Sequence, residues 1–111
     1  MRLLELLFPT NMRRQLAQLA TEIARRCQPD AVAVVGLRLR TMGIAEARGY
    51  IRAKARRVVQ AEIDELLQTA PAIRKIPRDP LVEETLERII VWVIAEGLKS
   101  TPRVEAARRA A

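Results

Sequence analysis

The sequence predicts an all-α protein, a compact bundle of four main helices with a long central basic helix and short helical termini, and three observations predict it. Half of the residues are hydrophobic but only Phe8, Tyr50 and Trp92 are aromatic, so the core must be built from Ala, Leu, Ile and Val, and alanine and leucine favour helix. Hairpin signals such as Asn-Gly or Asp-Gly are lacking. Apolar residues recur instead at the three-four spacing of an amphipathic helix in segment after segment. With 111 residues the chain fits a single domain, residues 1–111, and folding would hide roughly two thirds of the unfolded surface.

Residues 1–9 read as a greasy N-terminal flap, with Leu3, Leu4, Leu7 and Phe8 before Pro9 interrupts. Thr10 and Asn11 are good N-caps, and Met12, Leu16, Leu19, Ile23 and Cys27 follow at helical spacing, so the first main helix is predicted over 11–28, closed by Gln28-Pro29. Asp30 can cap a second helix over 31–42, in which Val32, Val35, Leu39 and Met42 share a face. Its β-branched residues and the alternation in GLRLR would also suit a strand, but no second strand exists to pair with it. Gly43 is predicted to end or kink that helix in the left-handed conformation.

The third helix, 44–69, organises the rest. At about 100° per residue Ile44, Ala47, Ile51, Ala55, Val58, Val59 and Leu66 fall in one arc, with Arg52, Lys54, Arg56 and Arg57 over the remaining surface. Two residues break the pattern: Arg48 and Glu62 point into the aliphatic arc, roughly 21 Å apart along the axis, too far to pair within the helix. The following APAIRKIPRDP has three prolines in eleven residues and must be a connector, pinned by Ile73 and Ile76. Asp79 as N-cap with Pro80 at the first helical position starts the fourth helix, 80–99. Its IIVWVIA run is apolar on all sides, as in a core helix surrounded by others, with Trp92 buried. Residues 102–111 form a loosely anchored, helix-prone tail.

The chain has no histidine and one serine, Ser100. That removes Ser-His and Cys-His nucleophilic machinery, imidazole metal sites and the commonest general base near neutral pH. The four glycines are scattered and form no phosphate loop. Glu83 and Glu87 stand four apart, but no second helix supplies Glu-x-x-His, so the acids of Glu83/Glu84/Glu87 read as a solvated face and not as metal ligands. Cys27, the lone cysteine, reads as a small buried thiol. No catalytic residue, cofactor, metal or small-molecule substrate is expected. RLLELLF is too short and carries Glu5, a poor signal-peptide core, and the run Ile89 to Ala95 is too short to span a membrane. The expectation is a cytoplasmic protein without a membrane partner.

Charge points to binding. Residues 1–60 hold 12 Arg and Lys against 4 Asp and Glu, a net +8, while residues 61–111 hold 8 against 9. Of the 20 basic residues 17 are arginine, suited to bidentate grip on phosphate or carboxylate, although a GC-rich genome would enrich arginine without that purpose. The predicted nucleic-acid contacts are Arg38, Arg40, Arg52, Lys54, Arg56 and Arg57. A helix-turn-helix reading is weak, because the position six after Gly43 that should be apolar is Gly49. The alternative is a homo-oligomer or adaptor that binds other proteins through helical faces. Two copies of the third helix crossing antiparallel at Ala55 would set Arg48 against Glu62, Ile44 against Leu66, Ala47 against Ile63 and Ile51 against Val59, a self-complementary interface for a homodimer.

Overall fold

The computed structural model describes the backbone of residues 10–110 and, apart from position 37, the side chains of residues 10–96. The N-terminal flap and the side chains of the tail lie outside the described residues. Three α-helices account for the fold: α1 (Thr10–Val35), α2 (Ile44–Thr69) and α3 (Arg78–Ala110), joined by 3-10 segments at Gly36–Thr41 and Pro71–Lys75. No strand occurs among the described residues. The all-α expectation holds, but there are three main helices where four were expected.

The discrepancy lies at Pro29, which α1 runs through instead of stopping. A mid-helix proline removes one hydrogen bond and crowds the carbonyl four residues back, a cost of about 3 kcal/mol. Against it stands the apolar stripe, which continues unbroken across the proline: Leu16, Ala20, Ile23 and Cys27 lead on to Ala31 and Val35, all buried. Burying one valine alone is worth about 1.5–3 kcal/mol, so packing offsets the break. Val32, expected on the inner face, is exposed.

Gly36 ends α1 with φ at 63°, the left-handed conformation that only glycine adopts without penalty. Gly43, to which sequence reasoning gave that role, is extended (φ −68°, ψ 166°) and serves as the N-cap of α2, its carbonyl accepting from the Ala47 amide at 2.8 Å. Between them the chain tightens into 3-10 geometry, where the Thr41 hydroxyl donates to the Arg38 carbonyl at 3.1 Å.

α2 has the limits predicted for it, and its buried stripe is a strict i, i+4 row of Ala47, Ile51, Ala55, Val59 and Ile63. The connector behaves as expected, with Ile73 and Ile76 half-buried. α3 starts two residues earlier than predicted, the Leu81 amide donating to the Pro77 carbonyl at 3.2 Å. Pro80 therefore sits in the first turn, where its missing N–H has no helical partner to lose. The helix also continues through Pro102 to Ala110, so the predicted break near Lys99 is absent. Its IIVWVIA run is not enclosed on all sides: Ile89, Ile90 and Val93 are buried, Val91 is 55% exposed, and Trp92 is half-buried against the core.

Each helix packs on both others. Arg26 and Cys27 of α1 meet Glu62 and Val58 of α2, and the pairs Arg48–Glu87, Arg56–Glu83 and Asp64–Arg78 run in opposite order along α2 and α3. Both neighbouring pairs are thus antiparallel and the bundle runs up, down, up. One core of Ile23, Ile51, Val59, Ile63, Leu86, Ile89 and Ile90 fills the space between the three helices. Among the described residues no helix is long and apolar enough to cross a membrane.

Candidate nucleic-acid interface

The arginines of α2 divide into two sets once α3 is in place. Arg48, Arg52 and Arg56 recur every four residues, Glu83 and Glu87 stand four apart on α3, and antiparallel packing interleaves them. The Arg48 Nη2 donates to Glu87 Oε2 at 2.9 Å and the Arg56 Nη2 to Glu83 Oε1 at 3.0 Å, while Arg52 donates to both carboxylates. Each carboxylate serves two guanidiniums. Arg52 and Arg56, expected to grip phosphate, are thereby committed to holding α3, and Glu83 and Glu87 are not the idle solvated face that sequence reasoning made of them.

The two misfits of α2 are satisfied within the chain. Arg48 pairs with Glu87, and Glu62 pairs with Arg26 of α1 at 3.5 Å. The expected homodimer contact also lacks a free surface: Ile51, Ala55 and Val59 are each 0% exposed in the chain's own core, Leu66 is half-buried against it, and only Ile44, at 71%, stands in solvent. A helix face cannot be the core of the bundle and an interface between copies at once. The antiparallel crossing at Ala55 is therefore corrected to intrachain packing.

Four of the six cations expected to contact phosphate have no carboxylate partner among the described residues. Arg38 and Arg40 are exposed on the 3-10 segment, and Lys54 and Arg57 are exposed on α2; among the described residues none of the four joins an ion pair. Tyr50, Lys54 and Arg57, spaced four and three, share a helical row on the outer side of α2. The Lys54 Nζ stands 5.7 Å from the centroid of the Tyr50 ring. The first half of α2 carries a single acid, the exposed Glu46. From Ile44 to Arg57 the helix rises roughly 20 Å. Arg74 and Lys75 are exposed at the opposite end of the bundle, where Arg78 is held by Asp64 at 2.6 Å, a hydrogen bond that raises the guanidinium pKa further.

α1 and α2 leave a groove of about 440 Å³ lined by Ala33, Val34, Val58 and Ala61 together with the charged Arg26, Asp30, Glu62 and Glu65. Cys27 also lines it, 2% exposed, its thiol directed at the Val58 carbonyl. Burial, and then the charges of Glu62 and Asp30, push the thiol pKa up to about 12. The thiolate is the reactive form, so this cysteine is a packing residue, as the sequence suggested.

Sequence reasoning missed a polar cluster between α1 and α3. The Arg88 Nε donates to the Thr21 hydroxyl at 2.9 Å and its Nη1 to Glu84 Oε2 at 2.8 Å, with Glu84 itself buried. The spacing of Glu84 and Arg88, four apart, was legible as a helix ion pair, but nothing in the sequence placed Thr21 beside them. Among the described residues no group of three or more His, Cys, Asp or Glu is placed to hold a metal ion. No protein-family model, curated protein or solved structure matches this chain.

Proposed function

We propose that the protein is a non-catalytic nucleic-acid-binding protein that contacts the phosphate backbone through Arg38, Arg40, Lys54 and Arg57. The observation that carries this reading is the sorting of the arginines. Arg48, Arg52 and Arg56 are matched by carboxylates of α3, whereas these four cations stand exposed without one among the described residues. Unmatched arginine held on a rigid helix and the short turn leading into it is suited to phosphate.

Four phosphate contacts give a slope in log affinity against log salt of about −3.6 on duplex DNA and about −2.8 on a single strand, a loss of roughly 150-fold and 50-fold respectively between 50 and 200 mM. Charge reversal at Arg38 and Arg57 should weaken binding alike on all sequences, while reversal at Arg74 and Lys75 at the far end should change it little. Absence of binding to DNA and RNA at low salt, or a loss confined to the Arg74/Lys75 variant, refutes the assignment. A second reading, an adaptor that binds other proteins, draws on the exposed Val32 and Val34 near the end of α1. It predicts a protein complex lost on Val32→Asp and Val34→Asp, with no dependence on Arg38 or Arg57.

A further inference from the structure

Tyr50 gives the cationic row a feature that phosphate binding alone does not use. Its side chain is half-buried and packed against the bundle core, and the Lys54 ammonium stands over the ring, 5.7 Å from its centroid. Arg57 follows seven residues on, so from Tyr50 to Arg57 the helix rises roughly 10 Å along its axis, about the axial length of three nucleotides stacked as they are in a duplex strand. Resting on the nucleic-acid reading above, we infer that the ligand is a single strand, with one base stacked on Tyr50 and the neighbouring phosphates held by Lys54 and Arg57. In a duplex the faces of the bases are hidden in the helical stack and the ring has nothing to receive. A single strand offers a π-face at every nucleotide.

The lysine over the ring does not block this. An exposed cation–π contact is worth roughly a 2- to 5-fold factor, whereas a base stacked on an aromatic side chain is worth roughly 5- to 150-fold. The base displaces the ammonium, and the ammonium keeps its value by turning to a phosphate of the same strand. Arg38 and Arg40, on the turn that enters α2, extend the contact to further phosphates.

The test is fluorescence anisotropy at low salt with the full chain and three probes: a labelled single strand of about 12 nucleotides, the same strand with abasic sugars at its central positions, and the corresponding duplex. The wild-type protein should bind the base-bearing strand roughly 5- to 150-fold more tightly than the abasic one, which carries the same phosphates. Tyr50→Leu should lose that preference and bind both as the wild type binds the abasic strand, and Tyr50→Phe should keep it. The wild-type comparison of the two strands stands even if Tyr50→Leu fails to fold. Equal affinity for base-bearing and abasic strands, or tighter binding to duplex with Tyr50→Leu indifferent, overturns the single-strand assignment and leaves backbone binding intact. No binding to any of the three overturns both.

Discussion

Glu87 is the position where the arginine ladder can be tested most directly. Its carboxylate receives Arg48 and Arg52, so Glu87→Gln removes two ion pairs without changing size and leaves Glu83 to serve Arg52 and Arg56. The side chains involved are 33–47% exposed, which puts each pair in the range of roughly 0.2–1 kcal/mol measured for solvent-accessible ion pairs. Taken near the middle of that range, the two lost pairs together come to about 1 kcal/mol. Glu87→Arg adds repulsion from Arg48 and Arg52 at roughly 1 kcal/mol per close charge pair in water, for a total of about 2–3 kcal/mol. That is a large share of the roughly 5–15 kcal/mol of a whole domain.

Urea unfolding followed by circular dichroism reads the difference. With a slope of about 1–3 kcal/mol per molar urea, Glu87→Gln should lower the midpoint by roughly 0.3–1 M. At about 1 M salt, where the screening length is roughly 3 Å, the gap from wild type should narrow. Compensation identifies the partner. Arg48→Glu should recover part of the loss caused by Glu87→Arg, with a coupling of about 1 kcal/mol in the double-mutant cycle. Arg48→Glu combined with Glu62→Arg should recover nothing, because Glu62 answers to Arg26. A midpoint unchanged by Glu87→Gln, Glu87→Arg no worse than Glu87→Gln, or full recovery in the Arg48/Glu62 double mutant would refute the ladder.

Calorimetry or urea melts should show Ile90→Ala, at a fully buried position, costing about 2–5 kcal/mol, and Trp92→Ala less, about 1–3 kcal/mol, because the indole is only half-buried; the native Trp emission maximum should lie between those of buried and solvated indole. Gly36→Ala should destabilise by about 1–2 kcal/mol through its positive φ, whereas Gly43→Ser should gain a few tenths of a kcal/mol by supplying the cap that α2 lacks; equal effects at the two glycines would contradict their assigned conformations. Cys27, with its pKa pushed from 9.0 to about 12, should react with iodoacetamide at pH 8 about a thousandfold more slowly than an unfolded thiol. The raised value means the folded state holds this proton more tightly, so its contribution to stability is complete below about pH 9 and is lost as pH rises towards about 12; alkylation at the same rate in native and denatured protein would refute the burial.

Helix content was legible because the apolar stripes are strong, and α2 was legible to the residue because its row of Ala47, Ile51, Ala55, Val59 and Ile63 lies between two turn-forming segments. The errors came where a local rule met a non-local force. Pro29 is a valid helix-stop signal in isolation, but the gain from seating Ala31 and Val35 comes from residues of the other helices, which a local window does not contain. The apolar spacing runs on to Met42 and so puts the left-handed glycine at Gly43; the chain turns at Gly36 instead, and beyond Val35 the next positions of the stripe, Leu39 and Met42, are only half-buried. In α3 the apolar run concealed its own exposed side: Val91 is aliphatic, so composition alone could not show that it faces out.

The candidate interface was legible in its charge and illegible in its membership, and the reason is distance along the chain. Arg52 and Arg56 look like Arg57 in sequence, all cations on the polar side of one helix. What separates them is a pair of glutamates 27 to 35 residues away that reach the first two and not the third. The angular position decides it: from the buried row, Arg48, Arg52 and Arg56 advance together toward α3, whereas Lys54 and Arg57 lie round the helix with Tyr50. A four-residue repeat of arginine on one helix and of glutamate on the next is therefore a packing signal when the two helices are antiparallel neighbours. The cations left over from such a repeat are the ones to test for a ligand, and here they are Arg38, Arg40, Lys54 and Arg57.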